Sequence, residues 1–310
     1  YFATVPAYGL GGIVVSTAGG TSTTLPTNMM NPMQGVLRDV AVAPTTGDLW
    51  VAGNTNPLNL YRIDPATGAT NRTITLDSKA IGSTTFTGGL QVVAADFTLG
   101  GTSVPAGSLL VFNANTNPDR VVAIDLATEA VIATLVLGVN YDTSGGAFDP
   151  LTGDLFLIDR AVNPGRLVRL NAATGAEVSS AILPAHFSEG GLAIAPAGGQ
   201  AQHGNLWYVT SQENTAYELS RSGEVLRRVG LELQGMSNDS PTGATFRADG
   251  TLLVSTSNGR IFAINPQFDP AQTIPVLASI VGTATRGTPG SAGQASANAC
   301  LLYTSPSPRD

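Results

Sequence analysis

Short apolar runs separated by turn residues dominate the hydrophobic pattern. The runs are four to seven residues long, rich in Val, Ile, Leu, Thr and Phe, and bounded by Gly, Asn, Asp or Pro. Val121–Asp125 and Leu167–Leu170 are too short for helices and contain β-branched residues, which favour strands. No 3.6-residue period runs through the chain, so the pattern argues against a helical solenoid.

The apolar runs are arranged in a repeat that occurs five times. Each repeat has an apolar run, a turn, a Gly-polar-Leu triplet that opens a second run, a polar loop, a third run, another turn and a fourth run. The repeats are Gly35–Leu76, Gly88–Leu137, Gly145–Leu183, Gly190–Leu231 and the segment from Gly243 onward. Their triplets begin at Gly47, Gly107, Gly153, Gly204 and Gly250, 46 to 60 residues apart.

The turn between the third and fourth runs is typical of an antiparallel sheet. In Asp64–Gly68 (DPATG) a proline stands where φ near −65° suits a type I turn, and a glycine stands where φ becomes positive. Four antiparallel strands in about 40 to 50 residues describe one blade of a β-propeller. A β-sandwich has no reason to repeat one strand order five times, so the sequence predicts an all-β propeller of four-stranded antiparallel blades.

The ends of the chain predict three regions. Ile13–Leu25 aligns with Leu167–Leu183, which suggests the third and fourth strands of a blade that begins before Tyr1. We therefore expect residues 1–281 to form a propeller domain of five full blades plus a partial N-terminal blade, a fragment of a ring of six or more. Residues 282–299 (Gly, Ala, Ser and Thr) are expected to be a flexible linker. Residues 300–310 (CLLYTSPSPRD) are expected to be a non-native tail of a metagenomic fragment.

Composition and charge exclude several classes of protein. The chain has 310 residues, 43% of them hydrophobic, but no window of eighteen consecutive apolar residues, so no membrane insertion is expected. The net charge of −7 argues against nucleic acid as a partner. The one cysteine, Cys300, lies in the expected tail, which leaves no disulfide, catalytic thiol or Cys-ligated zinc. The acidic, Lys-poor, Thr/Asn-rich composition suggests an extracellular or periplasmic bacterial protein.

Three segments resemble a known class of repeats. Gly47–Val51 (GDLWV) with Leu60–Gly68 (LYRIDPATG), and later GTLLVSTSNGRIFAIN, are similar to the NHL/YVTN class of bacterial propeller repeats, over about residues 11–281. The resemblance implies a six- or seven-bladed ring in a class that includes secreted binding modules, lyases and calcium-dependent lactonases of the gluconolactonase type. The acidic and amide metal ligands of the enzymes do not recur at matching positions, so no catalytic residue is transferred.

One face of the expected propeller carries the unusual side chains. The loops from each outer strand to the next inner strand share a face with those between second and third strands. Adaptable Met, aromatic and polar side chains on these loops suit a binding surface, although Met and Phe could equally plug the channel mouth. The ligand-binding candidates are Met29, Met30, Met33, Tyr141, Asp142, His186, Phe187, Glu189, Met236, Asn238 and Asp239.

These residues leave several functions open. Glu189, Asp142 and Asp239 could offer oxygen ligands to Ca²⁺, although hydrogen-bonded or solvated loop carboxylates are the preferred interpretation. No nucleophile elbow, phosphate loop, dinucleotide fingerprint or His-Glu-x-x-His motif is present, and no cofactor is predicted. We therefore expect a non-catalytic module that binds a small molecule, glycan or protein through the channel-mouth loops. The alternatives are a calcium-dependent hydrolase or lyase and a structural array of blades.

Overall fold

A computed structural model shows that the chain is built from β-strands. It describes residues 13–15, 23–25, 37–53, 57–66, 68–76, 81–82, 88–114, 116–183, 190–196, 204–212, 215–231, 240–257, 259 and 261–264. Within these ranges there are 23 strands. Residues 265–281 of the expected propeller domain, the linker and the tail lie outside the described residues.

Five antiparallel sheets follow one another along the chain, each in the order in which its strands occur. The first consists of β3 (Leu37–Val42), β4 (Leu49–Gly53), β5 (Asn59–Ile63) and β6 (Thr70–Thr75). The second consists of β7 (Leu90–Val92), β10 (Leu109–Asn113), β11 (Arg120–Ile124) and β12 (Val131–Val136). The third consists of β13 (Thr143–Asp149), β14 (Asp154–Asp159), β15 (Arg166–Asn171) and β16 (Glu177–Ile182). The fourth consists of β17 (Gly190–Ile194), β18 (Leu206–Thr210), β19 (Thr215–Leu219) and β20 (Val225–Gly230). The fifth has three strands, β21 (Pro241–Phe246), β22 (Leu252–Thr256) and β23 (Ile261–Ile264).

A small hairpin explains the longest interval between repeats. The strands β8 (Phe97–Leu99) and β9 (Thr102–Val104) pair with each other and lie, in the sequence, between β7 and β10 of the second sheet. The Phe97 ring packs 4.0 Å from the ring of Phe148 in the third sheet. The hairpin therefore adds residues between Gly47 and Gly107 and packs against the neighbouring blade.

The turns and triplets of the repeat have the structural roles that their residues indicate. Gly68 has φ 71° and Gly175 has φ 74°, the left-handed conformation that glycine adopts without strain. The triplet aspartate pairs with an arginine of the third strand: Asp48 with Arg62 at 2.5 Å, and Asp154 with Arg169. The recurring Gly-Asp-Leu and Arg-Ile or Arg-Leu patterns thus encode one cross-strand ion pair.

The hydrophobic core lies between neighbouring sheets. One cluster of buried residues joins the first and second sheets, one the second and third, and one the third and fourth. Another cluster contains Leu37 and Tyr61 of the first sheet together with Leu253 and Ile261 of the fifth. The first and last sheets of the series are therefore neighbours, as a closed ring of blades requires.

The first strands of the five sheets stand side by side around the axis. A Cβ on Gly89 would lie 2.6 Å from the Gly146 nitrogen, and a Cβ on Gly145 would lie 2.8 Å from the Leu192 nitrogen. A Cβ on Gly191 would overlap the Ala244 nitrogen, and one on Gly243 would overlap Asp39. The glycine pairs therefore lie where backbones crowd at the centre, as the sequence predicted.

The blade number corrects one expectation. Within the described residues the inner strands follow one another around the axis in the order β3, β7, β13, β17 and β21, and β21 contacts β3. Asp39 of β3 accepts hydrogen bonds from the amides of both Leu90 in β7 and Ala244 in β21. The ring is thus closed by five blades and is not a piece of a ring of six or more. A ring this small is compatible with the glycines of the inner strands, which allow the backbones to approach closely.

The N-terminal hairpin also differs from the expected partial blade. β1 (Ile13–Val15) pairs with β2 (Thr23–Leu25), as the alignment with Leu167–Leu183 suggested. However, β1 contacts β23, the outer strand of the three-stranded fifth sheet. The hairpin therefore stands beside the fifth blade, where a fourth strand would be expected, and does not begin a sixth.

Candidate functional site

The narrower mouth of the axial channel is polar and receives residues from all five blades. The inner strands run in one direction, so their first residues meet at one end of the axis. A space of about 20 Å³ lies there. Its described lining residues are Arg38, Gly88, Thr143, Ser144, Arg160, Gly190 and Thr242. We call this the polar mouth.

Hydrogen bonds hold the side chains of the polar mouth in place. Arg160, just after β14, donates from Nη2 to Asp142 Oδ1 at 2.8 Å and from Nε to the Asp142 carbonyl at 3.2 Å. Ser144 Oγ lies 3.1 Å from Tyr208 Oη, and Thr242 Oγ1 lies 3.3 Å from Ser255 Oγ. The mouth thus presents guanidinium and hydroxyl groups in fixed positions.

Two of the predicted ligand-binding residues can be located. Asp142 is half exposed beside the polar mouth, where it pairs with Arg160. Tyr141 is only 4% exposed and its ring packs beneath Arg166, so it offers a ligand little surface. The other nine candidates lie outside the described residues and stay predictions: Met29, Met30, Met33, His186, Phe187, Glu189, Met236, Asn238 and Asp239.

Asp119 is a buried acid beside this mouth that the sequence analysis did not single out. Its Oδ2 accepts hydrogen bonds from the Tyr141 amide at 3.1 Å and from the Thr143 hydroxyl at 3.2 Å. Its Oδ1 is buried without a hydrogen-bond partner among the described residues. Burial raises the pKa of this carboxyl to about 6, against the opposing effect of its hydrogen bonds and with a smaller contribution from Asp142.

We expect Asp119→Asn to remove a pH-dependent part of the stability. Because the folded-state pKa is raised above the ordinary 3.8, the folded protein binds this proton more tightly than the unfolded chain. The stabilisation is complete below the unfolded pKa and is lost as the pH rises through about 6. From about pH 4 to 7.5, the wild type should therefore lose about 2 kcal/mol of unfolding free energy relative to the variant, measured by urea denaturation.

A matched variant on the same sheet tests the sign of this effect. The exposed carboxylate of Asp125 accepts hydrogen bonds from the amides of Ala127 and Thr128, which lower its pKa. Asp125→Asn should consequently cost stability above the ordinary pKa and less as the pH falls. A difference between the wild type and Asp119→Asn that stays flat with pH would contradict the assignment.

The opposite mouth is a larger, apolar cavity of about 700 Å³. It lies at the ends of the same inner strands, where β3 contributes Val42, β17 contributes Ile194 and β21 contributes Phe246. Pro44, Pro150 and Pro196 continue the wall beyond the strands. We call this space the axial cavity.

The polar groups of its wall bind the protein itself. The side-chain amide of Gln91 donates from Nε2 to the Phe148 carbonyl at 3.1 Å, and its Oε1 accepts from the Phe148 nitrogen at 2.5 Å. The buried Asp149 carboxylate accepts from the Leu151 amide at 3.0 Å and lies 2.9 Å from Arg221 Nε. Because these polar groups bind within the protein, the surface that faces the cavity is mainly apolar. Arg247 and Asp249 are also among its lining residues.

No group of three or more His, Cys, Asp or Glu residues that could hold a metal ion occurs among the described residues. That part of the chain also contains no helix with the length and apolar character needed to cross a membrane. Of the three calcium candidates, Asp142 is held by Arg160, whereas Glu189 and Asp239 lie outside the described residues.

Comparison with known proteins identifies an architecture only. No family model and no curated protein matches the chain. Among solved structures, it is similar to the glutaminyl cyclase of Myxococcus xanthus, with a TM-score of 0.51 and 9% sequence identity over 74% of this chain and 90% of that one. The two share a propeller fold. At this identity no residue role passes from one to the other, and the NHL/YVTN class stays a prediction.

Sequence reasoning missed most of the residues that line the two mouths. One signal was present: Arg38 and Asp39 are adjacent charges within the otherwise apolar run Leu37–Val42. A charged pair in an inner strand indicates groups directed at the axis or at a neighbouring strand. The axial cavity gave no comparable signal, because its alanines, leucines and prolines are typical of any strand end.

Proposed function

We propose that the protein is a binding module that takes a small, mainly apolar ligand in the axial cavity. The observation that carries this proposal is the cavity of about 700 Å³ to which all five inner strands contribute. Pockets for small molecules have volumes of about 300–1,000 Å³ and are lined mainly by apolar groups with a few polar ones. The axial cavity has this size and this composition.

The polarity of the wall supports an apolar ligand body. Gln91 and Asp149 use their side chains within the protein, so a ligand would meet mainly Leu, Val, Ala, Pro and Phe surfaces. Arg247 and the exposed Asp249 would suit a ligand with one polar end. Secretion, and a second binding surface on the loops that carry Met29 and Met236, remain parts of the proposal.

The cavity can be tested with the neutral, apolar fluorophore N-phenyl-1-naphthylamine. We expect its fluorescence to rise and saturate on titration with the protein. Leu151, in the cavity wall and 57% exposed, should be part of the binding surface. Leu151→Asp should weaken binding about threefold to tenfold, since a lost apolar contact is worth roughly 1 kcal/mol.

Two further variants sharpen this test. Ala248→Trp, at an exposed turn position in the cavity wall, should abolish binding by occluding the entrance. Val178→Asp is the matched control, because Val178 is 51% exposed on β16 and is not among the residues of the cavity wall. Binding that does not saturate, or that Ala248→Trp leaves unchanged, would refute the proposed site.

The calcium-dependent hydrolase or lyase is the weaker proposal. It rests on Glu189, Asp142 and Asp239, of which Asp142 is engaged by Arg160. The name of the similar Myxococcus xanthus structure denotes an enzyme, but 9% identity supports only the shared fold. Repeating the fluorophore titration with added Ca²⁺ or a chelator compares the two proposals. Binding in the axial cavity should not change with either addition, because that cavity requires no metal.

A further inference from the structure

We propose that two copies of the chain pair through the outer edge of the third blade and form a twofold-symmetric dimer. β16 is the last strand of its sheet, and no described strand pairs with its other side. Two large apolar side chains of this strand, Val178 and Ile182, are 51% and 64% exposed. No residue of β16 belongs to the wall of the axial cavity, so this surface is separate from the proposed ligand site.

The backbone of β16 presents a regular set of polar groups to a further strand. Leu183, directly after β16, donates its amide hydrogen to the carbonyl of Gly165, directly before β15, at 2.9 Å. Backbone groups in an antiparallel strand point alternately to its two sides, so the N–H and C=O groups of Ser180 and Ile182 point away from β15. An exposed edge of this kind is a template for pairing with another chain.

The outer strands of the first, second and fourth blades carry features that protect an edge from such pairing. β6 contains Arg72 and its exposed side chains are polar, β12 is contacted by the hairpin of β8 and β9, and β20 contains Arg227 and Arg228. Charged side chains and covering segments are the usual protections of edge strands. A register shift recurs in all four outer strands, so it does not distinguish β16. β16 alone among the four has no charged residue beyond its first position, Glu177, and no covering hairpin among the described strands.

The sequence of β16 suits pairing with itself. In an antiparallel pair centred on Ser180, this residue lies opposite the partner's Ser180, and Val178 lies opposite the partner's Ile182. Apolar side chains directly opposite each other stabilise a sheet, so the two exposed residues of each copy would be covered. A twofold axis uses the same surface on both copies, and the assembly therefore ends at a dimer.

The balance of charge at this edge favours a second copy as the partner. Glu177 Oε1 lies 3.6 Å from Arg166 Nη1 and accepts a hydrogen bond from Ser180 Oγ at 2.7 Å. Two copies with a net charge of −7 each repel one another when their acidic surfaces approach. An edge whose glutamate is balanced by an arginine, and whose following residues are uncharged, allows contact without this repulsion.

Sedimentation equilibrium over a series of concentrations tests the dimer. We expect the wild type to show an equilibrium between one chain and two. Ile182→Lys introduces a charge of the kind that protects edge strands, and it should raise the dissociation constant by about tenfold or more. Thr75→Lys is the matched control, because Leu76 bonds to Leu58 as Leu183 bonds to Gly165, which places Thr75 on β6 where Ile182 stands on β16. This control should leave the dissociation constant unchanged.

A disulfide across the axis tests the register. Cys300 is the one cysteine of the chain, so Cys300→Ser removes the background thiol. In this background Ser180→Cys should form a disulfide-linked dimer on mild oxidation, because Cα atoms about 5.5 Å apart in a hydrogen-bonded pair lie within the range that a disulfide spans. Thr73→Cys, at the equivalent position of β6, should remain a single chain on a non-reducing gel.

Several outcomes would overturn the proposal. They are a wild type that stays a single chain at every concentration, a mass that continues to rise beyond two chains, and a dimer that Ile182→Lys leaves intact. Equal crosslinking of Ser180→Cys and Thr73→Cys, or none by either, would do the same. If Ile182→Lys fails to fold, the comparison of the two cysteine variants decides. A single chain that binds an extended foreign peptide at this edge would also refute pairing between copies.

Discussion

Gly191→Ala should destabilise the protein by about 3 kcal/mol or more, because the new methyl group has no space at the centre of the ring. A Cβ on Gly191 would overlap the Ala244 nitrogen and the Gly243 backbone. These are backbone atoms of the adjacent inner strand, so no side-chain rotation can relieve the clash. Urea denaturation followed by circular dichroism measures the change.

Gly138→Ala is the matched control for this substitution. A Cβ on Gly138 would meet nothing within 4 Å, and no positive φ requires glycine there. Its unfolding free energy should stay within about 0.5 kcal/mol of the wild type. If both variants unfold at the same urea concentration, β17 and β21 do not make the close contact described above.

Asp39→Asn is the second substitution with a large expected effect, about 3 kcal/mol of lost unfolding free energy. Oδ1 of this fully buried side chain accepts from the Val40 amide at 2.8 Å and the Ala244 amide at 3.1 Å, and Oδ2 accepts from the Leu90 amide at 2.5 Å. An asparagine has only one such oxygen. At least one backbone N–H would then face an N–H group with no acceptor.

Asp48→Asn on the same blade provides the comparison for Asp39. Asp48 pairs with Arg62, whose side chain is 36% exposed, so its loss should cost less than about 1 kcal/mol. Burial raises the pKa of Asp39, and its carboxyl joins three inner strands. Equal effects of the two substitutions would contradict the role of Asp39 as the link between β3, β7 and β21.

The blade architecture was predictable because its signals are local. The triplet at Gly47 and the turn at Gly68 fix a strand order within about 40 residues, and the structure confirms the four-stranded antiparallel blades. One turn departs from the pattern: Glu129 takes the left-handed position with φ 63° and pairs with Arg72 of the preceding blade. A contact between blades thus stands where the first, third and fourth repeats have Gly68, Gly175 and Gly223.

The blade number and the site were less accessible to sequence reasoning because they depend on distant contacts. Closure with five blades rests on Asp39 and Gly243, which lie in different repeats. The polar mouth likewise gathers Arg38, Ser144 and Thr242 from three blades. Loop composition pointed to the same end of the axis through Asp142, but it did not indicate the arginines or the cavity at the other end.

The bond between the Ala244 amide and Asp39 spans 205 residues, which has a consequence for synthesis. A ribosome must synthesise almost the whole propeller before β21 is made, so β3 lacks this neighbour while the intervening blades emerge. Contacts of such long range slow folding and leave intermediates exposed to aggregation. The nascent chain is therefore most vulnerable just before its last inner strand arrives, and chaperones would act at that stage.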